Sequence, residues 1–266
     1  MNSRFDNGNL VATARHSESG FLAVAVLVFL ASTAATISGC RSMSSMPGME
    51  MPGGWTMSMT WMRMPGQSWL GAATMFIGMW VVMMIAMMLP ALTPALARYR
   101  QTIRPHAGPR LGRLTALVAL AYFTVWTLAG LAAFPLGAAL AELTMRLPSL
   151  SRAIPFVTAV TVIAAGALQF TSWKSRELSC CRGARAFLPD NARAAWRHGL
   201  DLGLHCVRCC AGWTAILLVL GIMDLRAMAI VTLAITAERV AARSQSVARI
   251  VGAVAIVAGV ILLART

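Results

Sequence analysis

Seven long apolar runs constrain the fold of this 266-residue chain more than any other feature. A helix needs about 20 predominantly apolar residues to cross the hydrocarbon core of a bilayer. The chain is 58% hydrophobic and 12% charged, against roughly 25% charged residues in soluble domains. The pattern predicts an all-α, polytopic integral membrane helical bundle of about seven spans. The runs are residues 21–39, 69–90, 114–140, 154–173, 204–223, 227–240 and 248–264.

The spans divide the chain into four parts. We expect a cytoplasmic tail over 1–20, a first span or signal segment over 21–39, a methionine-rich external loop over 40–68, and a membrane domain over 69–264. The sixth run is short, and Pro135 in the third run is expected to kink or end that helix.

Basic residues are concentrated in alternate loops. The loops after the second, fourth and sixth runs hold most of the arginines, whereas the loops between them are poor in arginine and lysine. The positive-inside rule therefore predicts a cytoplasmic N-terminus, an external methionine-rich loop and an external C-terminus. Basic loops of this kind contact lipid head groups, so the net charge of +14 does not indicate nucleic-acid binding.

The first run allows a second interpretation. The segment Ile37–Cys40 follows an apolar stretch and looks like a bacterial lipoprotein processing site, with the charged, apolar and small-residue layout of signal peptides. Cleavage there would make Cys40 a lipidated N-terminus and leave six spans. A plain spanning helix remains the alternative.

Fourteen of the 18 methionines fall between Met43 and Met88, in two blocks. The first block lies in a stretch rich in Gly, Pro and Ser, which we do not expect to form a core. The second block is helically spaced, with Met75, Met79, Met83 and Met87 in one row and Met84 and Met88 in the next. Thioethers are soft ligands that suit Cu(I). Lipid contact or helix packing is the alternative for the second block.

The fifth run opens with a cysteine cluster. Cys206, Cys209 and Cys210 are spaced i, i+3 and i+4, so their thiols share one helical face. Arg208 and the helix N-terminus are expected to favour the thiolate form, and His205 is a candidate fourth ligand or an interfacial residue. The pair Cys180–Cys181 supplies a further ligand or is a reduced surface pair.

Two acidic residues, Asp224 and Glu238, bracket the short sixth run. Ionisable groups near membrane depth are candidates for function. We expect Glu238 to lie at the interface, paired with a neighbouring arginine.

These motifs resemble a bacterial family of predicted metal-binding integral membrane proteins, a domain of unknown function. The resemblance covers about residues 69–240. The motifs that carry it are the run Trp80–Pro90, the Cys206–Cys210 helix start, the segment Leu168–Lys174, the turn Gly221–Leu225 and Glu238–Arg239. The chain departs from the family pattern after Lys174, where an earlier cysteine is expected near Glu177, and a tryptophan expected after the cysteine pair is displaced to Trp213.

The combined pattern predicts a multi-pass protein of the bacterial inner membrane that binds Cu(I), with zinc as the other metal considered. The predicted ligands are Met83, Met84, Met87, Met88, His205, Cys206, Cys209 and Cys210. The predicted topology puts the methionine and cysteine ligands at similar depth. The role would be copper transport, transfer or loading of a membrane cuproprotein. A copper chaperone is another expected partner. The direction of transfer stays open.

Two other function classes remain open. A membrane thiol–disulfide oxidoreductase would use the Cys206-x-x-Cys209 motif, although dithiols on the cytoplasmic side stay reduced. A non-catalytic assembly factor for a membrane complex cannot be separated from transport by sequence. No catalytic residue is predicted, and an enzyme is the less favoured class.

Overall fold

The computed structural model describes residues 3–44, 48–63, 66–182 and 191–266, and within these ranges the chain forms eight α-helices and one two-stranded antiparallel sheet. The all-α prediction is confirmed. The helices are α1 (Ser3–Ser44), α2 (Trp69–Ala107), α3 (Leu111–Arg146), α4 (Pro148–Leu168), α5 (Ser172–Arg182), α6 (Ala192–Leu220), α7 (Leu225–Val240) and α8 (Ser244–Leu263). The strands are β1 (Met49–Met51) and β2 (Trp55–Met57).

Five stretches of the described chain are long and apolar enough to cross a membrane. One of them, Trp69–Arg146, contains both α2 and α3, which are joined by a short 3₁₀ turn at Gly108–Arg110 and pack against each other. Helix α7 has 16 residues, fewer than the roughly 20 that a perpendicular span needs. The chain therefore has the helices of a membrane protein, and the seven-span arrangement stays a prediction.

Prolines lie inside helices α2 and α3 without ending them. Helix α2 contains Pro90, Pro94 and Pro105, and α3 continues eleven residues beyond Pro135 to Arg146. The expectation that α3 could end at Pro135 is wrong. Neighbouring helices and side chains in a bundle can satisfy the backbone groups that a proline leaves unpaired.

Glycines set how closely the central helices approach. A Cβ atom added at Gly199 of α6 would lie 2.4 Å from the backbone oxygen of Val118 in α3. A Cβ atom added at Gly166 of α4 would likewise lie 2.7 Å from the backbone oxygen of Gly252 in α8. The close contact of α3 with α6 decides which side chains of α3 reach the middle of α6.

Two ends of the bundle differ in the contacts that hold them together. At one end, which we call the basic end, Arg100 of α2 donates to the backbone oxygen of Ser17 (3.0 Å) and Arg104 pairs with Glu18, both in α1. Arg100 is only 4% exposed, so this contact holds α1 against α2.

The opposite end carries the β1–β2 hairpin. The indole nitrogen of Trp55 donates to the backbone oxygen of Ser151 in α4 (3.0 Å), and the Ser151 hydroxyl donates to the backbone oxygen of Pro52 (2.8 Å). We call this the hairpin end. It contains the loop that the sequence predicts to be external.

Part of the first methionine block is buried, which corrects the expectation that this block forms no core. Met51 and Met57 are 8% and 2% exposed and pack around Ala141 with Trp55 and Trp61. The register places Met49 opposite Met57 and Met51 opposite Trp55. Met46 and Met64, also in this block, lie outside the described residues.

Reporter fusions test the orientation. We expect a reporter fused after Thr266 to be active outside the cytoplasm and one inserted near Ala107 to be active inside, because the basic end carries the arginines that are retained in the cytoplasm. Paired alkaline phosphatase and green fluorescent protein fusions at both positions measure this. The reverse pattern would invert the assignment of both ends.

Candidate metal centre

Four methionines of α2 are buried in the protein rather than exposed on its surface. Met83, Met84, Met87 and Met88 are each 1–2% exposed. Met75, at the start of the same helical row, is 72% exposed. The thioethers predicted as ligands therefore face the centre of the bundle, and simple lipid contact does not account for them.

The cysteine cluster lies in the middle of a helix and not at its start. Helix α6 begins at Ala192, where the Asn191 side chain accepts from the Ala194 amide. Cys206, Cys209 and Cys210 are 0%, 3% and 1% exposed. Hydropathy placed the span start at residue 204 because residues 192–203 form a more polar, amphipathic segment.

The thiols of Cys206 and Cys210 are close together. The sulfur atoms of Cys206 and Cys210 lie 3.9 Å apart. Two metal–thiolate bonds of about 2.3 Å at a tetrahedral angle span about 3.8 Å. The spacing of this pair therefore fits two sulfur ligands of one metal ion.

A tyrosine and an arginine contact the pair, and sequence reasoning had assigned neither of them to the site. The Tyr122 hydroxyl of α3 lies 2.8 Å from the Cys206 sulfur, and the Arg239 guanidinium of α7 donates to the Cys210 sulfur at 3.8 Å. Both can stabilise a thiolate, the form that binds metal. The prediction that Arg208 and the helix N-terminus do this is wrong, because Arg208 is exposed and the helix starts fourteen residues before Cys206.

A buried ion pair lies beside the cluster. The Lys174 ammonium of α5 donates to the Glu238 carboxylate (2.7 Å) and to the backbone oxygen of Cys209 (2.8 Å). The Trp213 indole donates to the other Glu238 oxygen at 3.0 Å. Glu238 is 2% exposed, and it pairs here with a lysine, where the sequence predicted an arginine.

Lys174 is charged in this setting. It lies in α5, outside the candidate spans. Burial lowers the pKa of its ammonium, but the negative charges of a Cys209 thiolate and of the Glu238 carboxylate raise that pKa by more, so it lies above that of an ordinary lysine. The positive charge therefore persists at neutral pH.

His205 is only partly buried and Cys180 is exposed, unlike the three buried thiols of α6. The Nδ1 atom of His205 lies 2.7 Å from the Glu177 carboxylate of α5, at the position where the sequence resemblance implied a cysteine. Cys180 is exposed, and the side chain of Cys181 lies outside the described residues.

The methionines and cysteines belong to one buried cluster. Helix α2 packs on α1, α3 and α7, and α6 packs on α3, α4, α5 and α7, so α3 and α7 connect the two sets. Within the part of the chain that the structure describes, no three His, Cys, Asp or Glu side chains form a group that could hold a metal ion.

A cavity of about 620 Å³ lies between the hairpin and helices α3, α4 and α6. Met57, Trp80 and Trp126 are among its lining residues, and the Trp80 indole donates to the backbone oxygen of Trp126 at 2.8 Å. Trp80 precedes Met84 by one helical turn. The cavity therefore extends from the hairpin to Trp80, one helical turn before the buried methionines begin.

Comparison with known proteins places most of this chain in one family. A family model named PpoB2 and described as a copper chaperone matches residues 77–262. The match includes the buried methionines, the three cysteines and the Lys174–Glu238 pair. No curated protein and no solved structure shows significant similarity to the chain.

Proposed function

Because this chain belongs to the PpoB2 family of copper chaperones, we propose that it binds Cu(I) within a membrane and passes it to a copper protein. The cytoplasmic membrane of a bacterium is the proposed location. Cu(I) is here the cargo of the protein, bound by sulfur ligands and released to a partner.

The observation that carries the proposal is the sulfur content of the buried core. Four thioethers of α2 and three thiols of α6 are at most 3% exposed and belong to one cluster. Soft thiolate and thioether ligands select Cu(I) over the harder ions that carboxylates and carbonyls bind. None of the three thiols forms a disulfide, so their sulfur atoms are available as ligands.

The thiol pair is the tighter of the two proposed sites. Cys206 and Cys210 have the spacing of two ligands of one ion, and Tyr122 lies against Cys206 while Arg239 donates to Cys210. Thiolates hold Cu(I) more strongly than neutral thioethers do. An ion that meets Met83, Met84, Met87 and Met88 first would therefore move towards the thiols by stepwise ligand exchange.

The Lys174–Glu238 pair is proposed to position the thiol helix. Lys174 donates to the backbone oxygen of Cys209, while Glu238 holds Trp213 one turn further along α6. The pair thus connects α5 and α7 to the part of α6 that carries the cysteines. The chain contains no recognisable ATP-binding motif, so delivery to a cuproprotein would follow the gradient of affinity.

Metal identity tests this function. We expect the purified protein, reduced and anaerobic, to retain Cu(I) in preference to Zn²⁺, because its buried ligands are thioethers and thiolates. Mass spectrometry of metal content after loading with equal amounts of both ions measures the preference. A protein that retains zinc and no copper would contradict the proposal.

The oxidoreductase alternative has one supporting observation, the 3.9 Å approach of Cys206 and Cys210. Their burial argues against it, since both thiols are at most 1% exposed and thiol–disulfide exchange needs access to the attacking thiolate. Under that alternative, cysteine variants would lose a disulfide-forming activity in cells while copper content stayed unchanged.

A further inference from the structure

A second group of sulfur atoms lies at the hairpin end, away from the three cysteines of α6. Cys40, four residues before the end of α1, is 2% exposed. Its sulfur lies 3.8 Å from the thioether sulfur of Met223, which belongs to the turn between α6 and α7. The two residues are 183 positions apart in sequence, so only the tertiary fold brings them together.

A third sulfur comes from α2. A Cβ atom added at Gly39 would lie 2.8 Å from the sulfur of Met79 and 2.9 Å from its terminal methyl carbon. The Met79 thioether therefore lies against the α1 backbone at Gly39, the residue that precedes Cys40 in the chain. The glycine at position 39 provides the space for it.

The three sulfurs have the chemistry of a Cu(I) site. One thiol and two thioethers, from three separate elements, are a soft ligand set. The Cys40–Met223 spacing of 3.8 Å matches the roughly 3.8 Å that two metal–sulfur bonds of about 2.3 Å span at a tetrahedral angle.

Met79 also begins a path towards the buried site. It precedes Met83 by four residues and Met87 by eight, so the three side chains lie along one face of α2. An ion held by Met79 would have its next thioether ligand one helical turn further into the bundle.

We propose that Cys40, Met79 and Met223 form a second Cu(I) site at the hairpin end, from which the ion enters the methionine row of α2. The inference rests on the proposed function, since both sites take Cu(I). On binding, the Cys40 thiol releases a proton and forms a sulfur–copper bond, the two thioethers bind as neutral donors, and copper remains Cu(I). A site with one thiolate binds Cu(I) less strongly than a site with two, so transfer to Cys206 and Cys210 lowers the free energy.

Copper stoichiometry of the full-length protein in detergent tests this site. Cu(I) is added anaerobically against a competing chelator, to wild type, to the double variant Cys40→Ser/Met223→Leu, and to the inner variant Cys206→Ser/Cys210→Ser. We expect the wild type to bind one more equivalent of Cu(I) than the Cys40→Ser/Met223→Leu variant, which keeps the tightly bound ion at Cys206 and Cys210. The inner variant keeps only the more weakly bound ion at the second site. Met79→Leu lowers the affinity of the second site for that ion.

Matched controls separate ligand loss from general damage. Cys180→Ser removes an exposed cysteine and Met75→Leu removes an exposed methionine of the same helix, so both should bind copper like the wild type. Met→Leu conserves volume and costs less than about 1.5 kcal/mol. Retention of the tight equivalent reports that the Cys40→Ser/Met223→Leu variant is folded.

Three outcomes count against specific claims. Wild-type stoichiometry and affinity in the Cys40→Ser/Met223→Leu variant would overturn the second site and leave the proposed function standing. Absence of bound copper in the wild type would overturn the proposed function itself. An intact mass showing that the mature chain begins at a lipidated Cys40 would also overturn the second site, because the lipidated sulfur is no longer a thiol.

Discussion

Replacing both close thiols, Cys206→Ser with Cys210→Ser, is expected to weaken tight Cu(I) binding by more than about 100-fold, since loss of outer-shell partners alone costs 10- to 100-fold in metal affinity. The two sulfurs are 3.9 Å apart and contact Tyr122 and Arg239. A serine hydroxyl is a hard, neutral donor that does not replace a thiolate on a soft ion. Titration with a competing Cu(I) chelator measures the loss.

Two comparisons make this result specific. Cys180→Ser removes an exposed thiol on α5 and should leave the affinity unchanged. Met83→Leu with Met87→Leu removes two buried thioethers and should slow copper transfer with a smaller loss of affinity, because thioethers are the weaker ligands. If the methionine variant lost tight binding and the cysteine variant kept it, the thiols would not be the main site.

Breaking the buried ion pair is expected to have the largest effect on stability. Lys174→Met or Glu238→Gln alone leaves its partner buried without its counter-charge, and removing one member of a buried pair typically costs about 3–5 kcal/mol. The double variant should lose less than the sum of the two single variants, because it leaves no unpaired charge. Thermal unfolding of the purified protein in detergent gives all three values.

The exposed pair of Arg146 and Glu142 provides the control. Its side chains are 74% and 53% exposed and it spans i,i+4 on α3, so Arg146→Met should change stability by at most a few tenths of a kcal/mol. Additive losses in the Lys174→Met/Glu238→Gln variant would show that the two groups are not coupled. Copper affinity of the single variants should fall as well, since Lys174 holds the backbone oxygen of Cys209.

Two helices that a side chain caps begin at or near the residues predicted from the sequence. The predicted start at Trp69 agrees with α2, where the Ser68 hydroxyl caps the helix by accepting from the Gly71 amide. The turn Gly221–Leu225, which carries part of the family resemblance, reaches the first residue of α7, where Asp224 accepts from the Arg226 and Ala227 amides. The start of α6 was missed by twelve residues, because hydropathy detects the apolar part of a helix and not its amphipathic first turns.

Residues that act across the bundle could not be assigned from sequence. Arg208 is adjacent to the thiols in sequence but is exposed, while Tyr122, 84 positions away, lies against Cys206. Met223 is 183 positions from its partner Cys40. No spacing rule links such pairs, because their contact depends on how α3, α6 and α7 pack.

The sequence by itself determined the all-α class, the apolar helices and the soft chemistry of the site, because hydropathy, helical period and sulfur ligands are properties of local residues. The partners of the thiols, the buried Lys174–Glu238 pair and the meeting of Cys40 with Met223 were decided by the tertiary structure alone. Close approach at Gly199 and Gly166 sets the helix packing, and packing determines which distant side chains come within bonding distance.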